Sequence, residues 1–159
     1  MLYAVLVVAL VALDQLVKYL VVQNISLGEY VPFLPHILDL TYVQNTGAAF
    51  SLFSEHTWLL TLISLVMSVL LLIALVRGFF RHPFGRISLA LLLAGAVGNL
   101  IDRAFQGYVV DMFHVLFMEF AVFNVADICV VVGGIAAAAY YVWGYERFEK
   151  GLHPEEHRS

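Results

Sequence analysis

The chain has 159 residues, 62% of them hydrophobic and 13% charged, with a formal net charge of −4. Soluble domains are usually ~45–50% apolar and ~25% charged, so an ordinary water-soluble globule and a disordered chain are both excluded. The acidic balance without a basic patch excludes a nucleic-acid binder, and a single cysteine, Cys129, excludes an internal disulfide framework or a multi-cysteine metal site.

What remains is an integral membrane protein. A spanning helix needs roughly 20 mostly apolar residues, and four stretches qualify: about 1–22, 58–76, 87–104 and 125–143. Backbone groups in lipid must be satisfied internally, which predicts helices. The first stretch has no basic start or small-residue cleavage site, and carries Asp14, Gln15 and Lys18 in its later half, so it reads as a retained helix. Next comes a long connection, Gln23 to Thr57, with Pro32, Pro35, the extended-looking run Ile37 to Val43, and Asn45-Thr46-Gly47. A short strand followed by a tight turn, with positive φ at the turn, is the simplest reading. The connection is long enough to serve as a lid over a substrate. Between the third and fourth helices, Met112 to Phe120 fits either a short interfacial strand or a helix. The expected fold is therefore an all-α membrane protein, four transmembrane helices with a small extracytoplasmic β-containing connection. It forms one membrane domain, 1–145, followed by a polar tail, 146–159.

The basic residues orient it. Arg77, Arg81 and Arg86 flank the second connection, and Arg147, Lys150 and Arg158 lie in the tail, whereas the first and third connections have none. The positive-inside rule places both termini in the cytoplasm. Trp58, Trp143, Tyr141 and Tyr145 read as interfacial anchors, and the small residues around Gly95, Gly98 and Gly133 as close helix contacts.

Charges inside the spans cost roughly 2.5–3.5 kcal/mol each, so each needs a reason. Asp14 lies about 20 Å along the first helix and Lys18 about 26 Å; Asn99 is about 18 Å and Asp102 about 23 Å along the third. Asp127 lies within about a turn of the start of the fourth. Separate segments thus deliver polar groups to one layer near the outer face. Asp14 and Lys18, four apart, share a face and can pair. Asn99 and Asp102 share a face from which Arg103 points away, and Asn124 is placed to cap the fourth helix. A structural ion pair explains Asp14 and Lys18 as well as a functional role does. Asn45 alone suggests no more than a turn, and Cys129 an inert packing residue. His36, His56, His82, His114, His153 and His157 lack ligand spacing, so no metal is expected. Asp111 and Asp127 are sixteen residues apart, and a hairpin-like return would bring them face to face. Two carboxylates in one apolar site cannot both ionise easily, so one keeps a proton while the other activates water. Ion carriage and pure scaffolding are the other classes compatible with buried carboxylates. The first predicts midplane acids and repeat symmetry, the second tolerance to loss of Asp111.

Motif blocks run in order along the chain: Asp14-Gln15-Leu16-Val17-Lys18, Asn45-Thr46-Gly47-Ala48-Ala49-Phe50-Ser51, Gly98-Asn99-Leu100-Ile101-Asp102-Arg103, Val110-Asp111 and Phe123-Asn124-Val125-Ala126-Asp127. On these the chain resembles the bacterial lipoprotein signal peptidase (signal peptidase II) family over nearly its whole length. The resemblance implies a membrane-embedded aspartyl endopeptidase of the bacterial cytoplasmic membrane, with its site near the outer face. Such an enzyme removes the signal peptide of prolipoproteins just before a diacylglyceryl-cysteine. It implies Asp111 and Asp127 as catalytic aspartates, and Asp14, Lys18, Asn45, Gly47, Asn99, Asp102, Arg103 and Asn124 as residues that line or order the site. The expected partners are a prolipoprotein and membrane lipid, with no cofactor, no nucleic acid and a monomeric enzyme.

Overall fold

A computed structural model describes residues 1–47 and 57–144. The motif residues Ala48 to Ser51 and the rest of the first connection up to His56, one part of the expected lid, lie outside the described residues, as do Tyr145 and the tail. The elements are α1 (Leu2–Asn24), β1 (Tyr30–Leu34), β2 (Leu38–Asn45), α2 (Thr57–Val76), α3 (Pro83–Gln106), β3 (Val109–Val115) and α4 (Val125–Ala139), which continues as a π-helical turn, Tyr140–Gly144. Four helical segments are long and apolar enough to cross a membrane, as expected. Their outward surfaces are apolar: Leu62, Leu65, Val69 and Leu72 of α2 are all exposed. In water such a surface would be a liability; in a bilayer it faces its solvent.

The central helix is α3, which packs against α1, α2 and α4. Its small residues make this possible. A Cβ on Gly95 would collide with the Ala126 carbonyl oxygen, and one on Gly133 would lie 2.9 Å from the Leu92 backbone nitrogen. Backbones at that separation are held by van der Waals contact where lipid removes any hydrophobic drive.

Helix ends differ from the hydropathy reading because caps, not apolarity, fix them. The α3 helix begins at Pro83, four residues before Ile87. Pro83 occupies the first turn and His82 caps it, its Nδ1 accepting from the Phe84 N–H at 3.3 Å. It ends at Gly107, whose φ of 79° places it in the left-handed region. The turn at Asn45-Thr46-Gly47 is closed through a side chain, the Gly47 N–H donating to Asn45 Oδ1 at 2.9 Å.

The connections form an antiparallel sheet in the order β1-β2-β3. Of the undecided stretch Met112 to Phe120, only Met112 to Val115 is strand, the end of β3, which pairs with β2 in a register that sets Val43 opposite Asp111. Val21 of α1 and Ile25 just beyond its end pack with Tyr42, Val110 and Met112, and so seat the sheet on the bundle. A second cluster, including Leu75, Phe80, Leu89 and Tyr140, closes the end that carries the α2–α3 turn.

Candidate active site

The polar residues of α1, α3 and α4 meet at the sheet end of the bundle. Lys18 is buried, and its Nζ lies 2.9 Å from Asp14 Oδ2 and 2.9 Å from Asp102 Oδ2. Its remaining contact is a donation to Asn99 Oδ1 at 3.2 Å. One ammonium thus serves two carboxylates, and backbone and amide groups complete them. The Ala126 N–H donates to Asp14 Oδ1 at 2.8 Å, and the Val110 N–H to Asp102 Oδ2 at 3.0 Å. Gln15 Nε2 donates to Asp102 Oδ1 at 2.9 Å, to Asp14 Oδ2 at 3.2 Å and to the Gly98 carbonyl at 3.2 Å. A buried ion pair holds only when its leftover lone pairs are satisfied in this way. Gly98 leaves the space for it, since a Cβ there would lie 2.7 Å from Asp14 Oδ2.

The lysine also sets the orientation of two amides. An ammonium only donates, so the Asn99 atom facing Lys18 is its oxygen, and its nitrogen faces the other way. Asn99 Nδ2 donates to Asp127 Oδ1 at 2.8 Å. Asn124 caps α4: its Oδ1 accepts from the Asp127 N–H at 2.9 Å, while its own N–H donates to Asp127 Oδ2 at 3.2 Å. This reciprocal capping box satisfies the first turn of the helix. With its oxygen so engaged, Asn124 turns its Nδ2 toward Asp111 Oδ1 at 2.6 Å and Asn99 Oδ1 at 3.1 Å. Asn45 Nδ2 donates to Asp111 Oδ2 at 2.8 Å. Both oxygens of both aspartates therefore receive N–H donors, and Asn124 touches both residues.

Asp111 reaches this position through its strand. The chain returns after β3 so that the Met112 and Phe113 N–H groups both donate to the Phe123 carbonyl, and the Phe123 N–H donates back to Phe113. That closure is the hairpin-like return the spacing suggested, and it sets Asn124 and Asp127 beside β3. Burial pushes the Asp111 carboxyl up from 3.8 to about 7, helped by the charge of Asp127 and opposed by the Asn45 and Asn124 amides and by Lys18. Arg103 points away from Asp102 and ties α3 to α2, donating to Ser64 Oγ at 3.3 Å and to the Gly47 carbonyl at 3.4 Å.

Asp111 and Asp127 share a cavity of about 440 Å³ that runs along α4 past Ile128, Val131 and Val132. Asn45, Asn99 and Arg103 line it too. Asp14, Lys18, Asp102 and Asn124 do not. They stand behind it, and Gly47 meets it only through Arg103. Among the described residues no group of three or more His, Cys, Asp or Glu side chains is placed to hold a metal ion. Two contributors were absent from the candidate residues. Gln15 had a signal, as an amide deep in an apolar helix; Ser64, a common residue in spanning helices, had none.

Two solved structures share the fold. Both are described as bacterial membrane enzymes determined by the in meso method. One, at 2.3 Å resolution, matches with a TM-score of 0.77 and 28% identity over 99% of this chain and 93% of its own. The other, at 1.9 Å, has a TM-score of 0.75 and 30% identity over 89% of this chain and 93% of its own. The class is thus a multi-pass bacterial membrane enzyme. The family model described as signal peptidase (SPase) II matches residues 6–143. The lipoprotein signal peptidase of Enterococcus faecalis is 44% identical over 142 residues, covering 89% of this chain and 88% of that one. That of Streptococcus pyogenes serotype M2 is 43% identical over 138 residues, covering 84% and 88%. The chain belongs to the signal peptidase II family.

Proposed function

We propose that this protein is a membrane-embedded aspartyl endopeptidase that removes the signal peptide from diacylglyceryl-modified prolipoproteins, cutting before the modified cysteine. The observation that carries the reading is the double engagement of Asn124, whose side chain donates to Asp111 at 2.6 Å and whose backbone pairs with Asp127 on one shared cavity. In this mechanism the two carboxylates hold one proton between them. The ionised member takes a proton from water as the oxygen attacks the scissile carbonyl, and the protonated member donates to the carbonyl oxygen. The resulting tetrahedral diol collapses as the cysteine amine takes a proton and leaves. Asn45, Asn99 and Asn124 hold the carboxylates by N–H donation, so the acids need no reorganisation during the reaction. Asp14, Lys18 and Asp102 order those amides from behind, and Arg103 holds Gly47 and so the turn after β2. The signal helix enters sideways from the bilayer, and the diacylglyceryl group remaining in lipid sets the register of the bond to be cut. The proposed enzyme is a monomer with one membrane domain, 1–145, followed in sequence by a polar tail.

The test is cleavage of a purified diacylglyceryl-modified prolipoprotein by the reconstituted enzyme. Asp111→Asn and Asp127→Asn are each expected to lower the rate by roughly 10²–10⁴-fold or more, the worth of general acid–base catalysis, while eluting as folded protein. An active asparagine variant at either position would remove the aspartyl mechanism.

A further inference from the structure

A second cavity opens on the other side of Asp111. It measures about 880 Å³ and lies between the sheet and the segment 116–122. It shares Asn45, Asp111 and the wall Phe120, Ala121 and Val122 with the cavity along α4. The two differ in character. Away from the shared wall, the first runs along Val130, Val131 and Val132 of α4 and also meets Asn99 and Arg103. The second adds Gln44, Thr46 and His114 on the sheet side, and Glu119 beside Leu116, Phe117 and Met118 on the facing segment. Among the described residues lining this second cavity, Glu119 is the one formally charged side chain besides Asp111, and no Lys or Arg lines it.

The substrate of the peptidase reading, on which this inference rests, has the same asymmetry. Its chain is apolar and membrane-bound before the cut, and water-soluble after the modified cysteine. A chain whose scissile bond lies at Asp111 and Asp127 and whose signal segment follows α4 must leave over the sheet. A cavity within the ~300–1,000 Å³ range holds a drug-sized ligand, which is the bulk of a few residues. We propose that this recess binds the first residues of the mature polypeptide after the modified cysteine, and that Glu119 makes it prefer basic over acidic residues there. Glu119 is exposed and selects by simple attraction or repulsion.

The experiment uses the full chain in vesicles of zwitterionic phosphatidylcholine, so that membrane charge contributes no preference. Three lipid-modified prolipoproteins carry Lys-Lys, Ser-Ser or Asp-Asp immediately after the cysteine. The Lys-Lys substrate is expected to exceed Asp-Asp in kcat/KM by roughly five-fold, mostly through KM, the scale of solvent-exposed charge pairs. Glu119→Gln should narrow that ratio and Glu119→Lys should invert it. Equal kcat/KM for Lys-Lys and Asp-Asp, or a ratio that Glu119→Lys leaves unchanged, would overturn the recess assignment while leaving the peptidase reading intact. No cleavage of any of the three by the parent enzyme would remove the peptidase reading, and the recess with it.

Discussion

In the proposed mechanism the chemistry turns on Asp111, and its burial has a consequence in pH. With its carboxyl pushed up to about 7, Asp111 holds a proton over much of the range in which an ordinary aspartate is ionised. Raising the pH through 7 strips that proton and so removes the acid. Cleavage is therefore expected to fall on the alkaline side of about pH 7, approaching ten-fold per pH unit. A rate that stays flat to pH 9 in a pH-rate series would contradict it. The same residue acts on stability with a definite sign. Its folded value lies above the ordinary 3.8, so its contribution is fully present below 3.8 and is lost as the pH rises through about 7. Much of this site was legible residue by residue. Asp14 and Lys18 stand four apart on a helix and do pair, and Asn124 does cap α4. The partner of Asp102 was not legible, because Lys18 lies 84 positions away in sequence and no local spacing connects α1 to α3.

At the scale of elements, the site depends on how closely α3 approaches α1 and α4. Gly98 sits where a side chain would press on Asp14 Oδ2 at 2.7 Å and on the Ala126 Cβ at 3.1 Å. Overpacking a tight contact costs typically ~1–3 kcal/mol. Gly98→Ala is accordingly expected to lower the melting temperature in detergent and, by moving Asp14, to reduce cleavage as well. A variant as stable and as active as the parent would show that the interface has slack. The four spanning elements were readable because long apolar runs have only one stable form in lipid. The strand β3 was not. Val109 to Val115 is too short for periodicity to separate strand from helix, and no local spacing announces the Phe113–Phe123 pairing, through backbone and rings, that returns it to α4. The start of α3 was misplaced for a related reason: hydropathy marks where apolar residues begin, whereas His82 and Pro83 mark where hydrogen bonding begins.

For the whole molecule, the arginines around the α2–α3 turn and the polar site occupy opposite ends of the bundle. The positive-inside rule then assigns the turn to the cytoplasm and the sheet to the outer surface. In a Cys129→Ala background, a membrane-impermeant thiol reagent added to wall-stripped cells is expected to label Glu29→Cys, and to label Phe79→Cys only after lysis. The reverse pattern would invert the topology. The shared lysine also bears on how the chain is made. The ammonium of α1 finds Asp14 one turn away in its own helix, so α1 is neutralised as it leaves the ribosome. The cation that pairs with Asp102 at 2.9 Å is in α1, synthesised long before. The ion pair that the acid of α3 makes in the folded molecule thus forms only when α1 packs against it, which ties the assembly of the third helix to the first.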